Sequence, residues 1–241
     1  MEQSHRFLAS LVSVVIIALA LAVWRSGEPA RHVRVPALAC VVVLLVQIIL
    51  GAVTVFTNNA PVTVALHLLI ATLFLGVVSV TAVAAFIPAG RSWSLGRGSG
   101  RLAWITVTAL YLVVISGSVV VNAGAQAACT SWPVCLSSPA TTSLLVVQTL
   151  HRILVLMGST LVVRYLVVVG RSNRSEHLER VVAASGLGLL AIQIVVGALS
   201  AILTTHTEFA DVHLALAAAL WGVVVAEVAL CSRDRGYAFQ S

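Results

Sequence analysis

Seven runs of apolar residues, near 7–24, 36–56, 63–88, 103–121, 142–169, 181–203 and 209–231, are each long enough to cross a hydrocarbon core of ~30 Å. In lipid the backbone must satisfy its own hydrogen bonds, so runs of this kind are read as helices. With 60% hydrophobic and 9% charged residues, the chain departs far from the ~25% charged residues of soluble domains. The expected fold is therefore all-α, a polytopic membrane protein of seven transmembrane helices.

All fourteen basic residues are arginine, and most of them sit in alternate loops. Arg25, Arg31 and Arg34 lie between helices 1 and 2, and Arg91, Arg97 and Arg101 between 3 and 4. Arg171, Arg174 and Arg180 lie between 5 and 6, and Arg233 and Arg235 after helix 7. The loops "TNNAP", "NAGAQAACTSWPVCLSSPA" and "TTHTEFAD" hold none. The positive-inside rule then predicts arginine loops in the cytoplasm, the N-terminus outside and the C-terminus inside, in a plasma membrane. The net charge of +6 is explained by this distribution and not by nucleic acid. No cleavable signal peptide is expected, because a basic n-region and a small-residue cleavage site are missing.

Sliding the chain against itself by 146 positions aligns His5-Arg6 with His151-Arg152 and Arg34-Val35 with Arg180-Val181. The same offset lays "QIILGA" (47–52) over "QIVVGA" (193–198) and "HLLIA" (67–71) over "HLALA" (213–217) without a gap. Valine and leucine coincide by chance in such a chain; histidine, arginine and glutamine do not. The offset relates helices 1–3 to helices 5–7 in the same orientation, as expected of a tandem parallel repeat. Residues 1–95 form the expected N-terminal unit and 103–235 the C-terminal one, with an outer loop at 122–141. Helix 4 completes a four-helix unit, so the first unit is expected to lack its own first helix.

Four of the seven histidines, His5, His67, His151 and His213, belong to the repeat and fall near the outer ends of helices 1, 3, 5 and 7. Ionisable residues in membrane helices are costly and suggest function. At 1.5 Å rise per residue the four lie at one depth, and two facing imidazoles suit the axial positions of a haem iron. Interhelical hydrogen bonding is the plainer use of such histidines. Zinc suits them less, since no further ligand at that depth completes a tetrahedron. Arg6 and Arg152 suit haem propionates and equally suit snorkelling to the interface. Gln47 and Gln193 are expected to line the pocket, while Gly51 and Gly197 permit close helix packing. His32, His177 and His206 are expected in solvent, and Trp132 and Trp221 as interface or core aromatics.

Glu2 precedes His5 by three residues, on the same helix face if the helix reaches that far. Its repeat mate is Gln148. An acid at one site and an amide at the other suggests proton transfer at the first alone; an exposed N-terminal residue without a chemical role is the equal alternative. Cys129 and Cys135, six apart in an outward-facing loop, are expected to form a disulfide. Cys40 and Cys231 read as small apolar residues within helices.

Together the twin His-Arg and His-Leu motifs, the Gln-Ile-x-x-Gly helices and "GSVVVNAGAQAACTSWPVC" (117–135) resemble the heme A synthases of bacterial and mitochondrial membranes. The resemblance covers nearly the whole chain in order. It implies haem b held between His151 and His213 in the C-terminal unit. It also implies haem o as the substrate of the N-terminal unit, oxidised at a ring methyl to the formyl group of haem a for cytochrome oxidase. His5 and His67 would serve that site, with Glu2 and His5 matching the family's Glu-x-x-His-Arg motif and Cys129 and Cys135 its cysteine pair. Family members usually begin with a helix and an outer loop before that motif, whereas Glu2 is the second residue here. The expectation is that Met1 is an internal start, the alternative being a seven-helix variant with an incomplete substrate bundle. The partners implied are the bilayer, a haem o synthase that hands over substrate and an unnamed electron donor; self-association is left open. The rival reading is a diheme b-type electron carrier or a haem-binding assembly module without substrate chemistry.

Overall fold

The computed structural model describes residues 2–26, 31–86, 100–135, 140–173, 175–205 and 207–232, the side chains of Glu2 and Arg31 excepted. Arg91, Arg97, Arg174, Arg233, Arg235 and His206 lie outside the described residues. Seven helices follow in order: α1 (Glu2–Arg25), α2 (Arg31–Phe56), α3 (Pro61–Ala85), α4 (Gly100–Asn122), α5 (Thr142–Arg171), α6 (His177–Ile202) and α7 (Thr207–Cys231). All seven are long and apolar enough to cross a membrane, and the described residues contain no strand. The third helix ends at Ala85, short of the expected 88.

Local chemistry sets the helix ends. Helix α2 closes at Asn58 and Asn59, both at positive φ, where Asn58 N–H donates to Val55 O and Asn59 N–H to Thr54 O. This paired closure satisfies carbonyls that a helix end otherwise leaves open. Pro61 then starts α3, since proline at the first helical position gives up no needed donor. Gly124, at φ +70, ends α4 in the same way, with Gly124 N–H donating to Val121 O and Ala125 N–H to Val120 O. Helix α6 opens with a reciprocal capping box between Glu176 and Glu179.

Helices α4 to α7 close a ring in which each packs on its neighbours, whereas α1 packs on α2 and α2 on α3 in an open row. The two groups meet where α3 lies against α7 and α4. The largest core sits in the closed ring around Tyr165, Leu166, Leu220, Trp221 and Val224. Trp221 is a core aromatic: its indole N–H donates to Thr72 O at 2.7 Å, and its ring lies against Tyr111, whose hydroxyl donates to Leu69 O. Two aromatics thus tie α7 and α4 to successive turns of α3. His32 is not the solvated residue the sequence suggests; it is half-buried, with Nε2 bonded to Ala84 O, because the start of α2 packs on the end of α3.

Candidate functional site

His5 and His67 come together across α1 and α3, with ring centroids 6.4 Å apart and planes at 79°. His5 is exposed and His67 half-buried. Behind His67, the Gln47 amide donates to its Nε2 at 3.2 Å. Gly51, one turn further along α2, lies against the same ring: a methyl group there would come within 3.3 Å of His67 Cε1. The α6–α7 pair repeats this arrangement. The Gln193 amide donates to His213 Nε2 at 3.4 Å, and a methyl group on Gly197 would stand 2.6 Å from His213 Cε1. The glycines therefore do more than bring helices close; each is the seat of an imidazole.

His151 is held differently. Ser116 on α4 has its Oγ 2.7 Å from His151 Nδ1 and 2.8 Å from Val113 O. A hydroxyl has one proton. If it goes to the Val113 carbonyl, His151 Nδ1–H is the donor to Oγ and Nε2 keeps its lone pair, the usual way a second partner fixes the tautomer of a metal-binding histidine. Gly117 seats the His151 ring, with a methyl group there 3.3 Å from Cε1. In the sequence Ser116 has no mark of its own, since one serine in an apolar helix has many bland uses, and Gly117 enters only as the first residue of the 117–135 segment.

The donor set fits haem iron in two respects. His67 Nδ1 and His213 Nδ1 are buried with no hydrogen-bond partner, as are Gln47 Oε1 and Gln193 Oε1; with each amide turned over so that its Oε1 accepts from Nε2–H, the ring keeps a lone pair on Nδ1 for a metal. No three His, Cys, Asp or Glu side chains converge among the described residues, and His5 with His67 brings together two imidazoles, the number two axial positions require. Gln148, three residues before His151, is buried and its Oε1 has no partner. Its mate Glu2 begins α1, but the Glu2 side chain lies outside the described residues.

Cys129 and Cys135 are joined as a disulfide, with Cα atoms 5.6 Å apart. Arg152 reaches into the loop they close and donates to the carbonyls of Ser131, Pro133 and Cys129. Arg6, its mate on α1, is exposed. Two acids, Glu179 on α6 and Glu227 on α7, have no accessible surface.

Residues 1–225 match the family model COX15-CtaA, described as a cytochrome oxidase assembly protein. Among curated proteins, a heme A synthase of Alkalihalophilus pseudofirmus is 30% identical over 138 residues, 56% of this chain and 46% of that protein. A heme A synthase of Exiguobacterium sibiricum is 30% identical over 168 residues, 68% of this chain and 56% of that protein. A protoheme IX farnesyltransferase of Roseiflexus sp. is 33% identical over 150 residues, 60% of this chain but 27% of that protein. The matches span about half the length of the heme A synthases.

Proposed function

The chain belongs to the COX15-CtaA family of cytochrome oxidase assembly proteins, and from that premise we propose that it is a heme A synthase, a membrane oxidoreductase that converts haem o to haem a. The observation that carries this reading is the duplicated cradle, in which Gln47 and Gly51 stand behind His67 as Gln193 and Gly197 stand behind His213. Two such sites in one chain suit one bound cofactor and one haem-like substrate. The relative named for protohaem farnesylation supports a farnesylated haem as the substrate.

In this reading residues 1–95 hold the substrate and 103–235 hold haem b. His151 and His213 ligate haem b, which when bound supplies one-electron transfer. Ser116 keeps the His151 ring in one tautomer, and Gly117 and Gly197 set the height of the two imidazoles. His5 and His67 position the substrate haem, and Glu2 accepts protons during two successive oxidations of the ring methyl. The histidine ends of the helices lie on the outer side of the plasma membrane and the C-terminus in the cytoplasm. Arg6 assists the substrate carboxylates. Substrate arrives from a haem o synthase; taking –CH3 to –CHO removes four electrons and four protons for each oxygen atom added from water, so an external oxidant, reached through an electron partner of another class, completes the reaction.

The test is to express the chain with haem o supplied, purify it in detergent, extract the haems and identify them by mass. Haem a together with haem b supports the synthase. Haem b alone, with haem o unchanged, supports the rival reading of an electron carrier.

A further inference from the structure

Arg152 follows His151 directly, and its guanidinium is engaged by the loop beside it. Nη1 donates to Ser131 O at 2.8 Å and Pro133 O at 3.2 Å, and Nη2 donates to Cys129 O at 3.0 Å. All three carbonyls lie in the segment closed by the Cys129–Cys135 disulfide. The segment is ordered further by Ser131 Oγ, which donates to Val134 O at 2.8 Å, and by Ala125 and Ala128, buried against Val120.

A guanidinium has five N–H donors in one rigid plane. Three are taken by neutral carbonyls, which leave the positive charge uncancelled, and two remain. A planar cation with two free donors matches a carboxylate. The loop also holds the long side chain still, so less ordering cost falls on the binding of an anion.

We propose that Arg152 is a two-sided latch: three donors hold the disulfide loop, and the other two hold a carboxylate of the group bound between His151 and His213. This rests on the reading that the group is haem b, whose propionates are the carboxylates. Because one side chain serves both, loop closure and haem occupancy stabilise each other, and the coupling is reciprocal. Bound haem protects the disulfide, and the intact disulfide slows haem loss. Arg152 is a positioning residue here and not a catalytic one.

The experiment uses the full chain in detergent, prepared haem-free and loaded with haem b. Disulfide opening by a water-soluble phosphine is timed by thiol labelling and mass, and haem release by transfer to excess haem-free globin. In the unaltered protein, disulfide opening is expected to be about tenfold slower when haem is bound, and haem release about tenfold faster once the disulfide is reduced, within the ~5–150-fold range of coupled sites. Arg152→Gln should open quickly in both states, bringing the ratio near one. Arg152→Lys keeps the charge but not the planar fork, and should lose most of the protection.

A folded Arg152→Gln that keeps the full ratio overturns the latch. If Arg152→Gln does not fold, Cys129→Ser/Cys135→Ser decides: haem release as fast as from the reduced protein supports the latch, and release as slow as from the oxidised protein overturns it. If the unaltered protein takes up no haem b, the haem reading fails by itself. The loop side of the latch is then judged on haem-free protein, where faster opening in Arg152→Gln supports it and equal rates overturn it.

Discussion

A methyl group on Gly197 would stand 2.6 Å from Cε1 and 3.0 Å from Nδ1 of His213, so the imidazole occupies the space a side chain there would need. Gly197→Ala must therefore displace the ring or part α6 from α7, an overpacking cost of about 1–3 kcal/mol. The expected outcome is a lower thermal midpoint and loss of most haem b from the purified protein, measured as haem per polypeptide. Gly51→Ala meets His67 at 3.3 Å and should be milder, because a shift of a few tenths of an ångström relieves it.

Ser116→Ala removes the hydroxyl 2.7 Å from His151 Nδ1 while leaving the helix intact. Losing the partner that orients a ligating histidine typically lowers metal affinity about 10-fold or more. Titration of haem-free protein with haem b should show that loss. A variant binding haem b as tightly as the unaltered protein would count against the tautomer role given to Ser116.

Trp221→Phe keeps most of the ring volume and removes the N–H that donates to Thr72 O across the two helix groups. The expected cost is about 0.5–1.5 kcal/mol, the net worth of one hydrogen bond. Thermal unfolding in detergent should fall accordingly, with the haem b absorption of the folded protein unchanged.

Glu2→Gln keeps the shape of the side chain and removes its acid, making the position resemble its mate Gln148. Conversion of haem o should fall by about 100-fold or more, the lower end of general acid–base contributions. Haem b content should be unaffected, which distinguishes a chemical defect from a folding one. Haem extraction and mass measurement read both quantities, and conversion at the unaltered rate would remove Glu2 from the mechanism.

Much of the site could be read in the chain because rare polar letters stand out against valine and leucine. His67 and His213, with Gln47 and Gln193 twenty residues before each, share one offset, and the structure gives both pairs the same hydrogen bond. Ser116 was not legible, since one serine in an apolar helix has many bland uses and no mate in the chain repeats it. Arg152 was legible as important but open as to partner; whether it reaches a loop carbonyl or the interface depends on how the Cys129–Cys135 segment folds back. His32 was misplaced because loop position alone says nothing of how the start of α2 meets the end of α3.

The sequence by itself determined the seven helices found among the described residues and their order. Each of these follows from the length and spacing of apolar runs, which a bilayer fixes through hydrogen-bond satisfaction and thickness. The tertiary structure decided which helix faces meet. Where nearly every face is apolar, hydrophobic pattern does not choose among them, and packing of small residues and interhelical hydrogen bonds does. Gly197 against His213, Ser116 against His151 and Trp221 on Thr72 are choices of that kind, made between residues far apart in the chain.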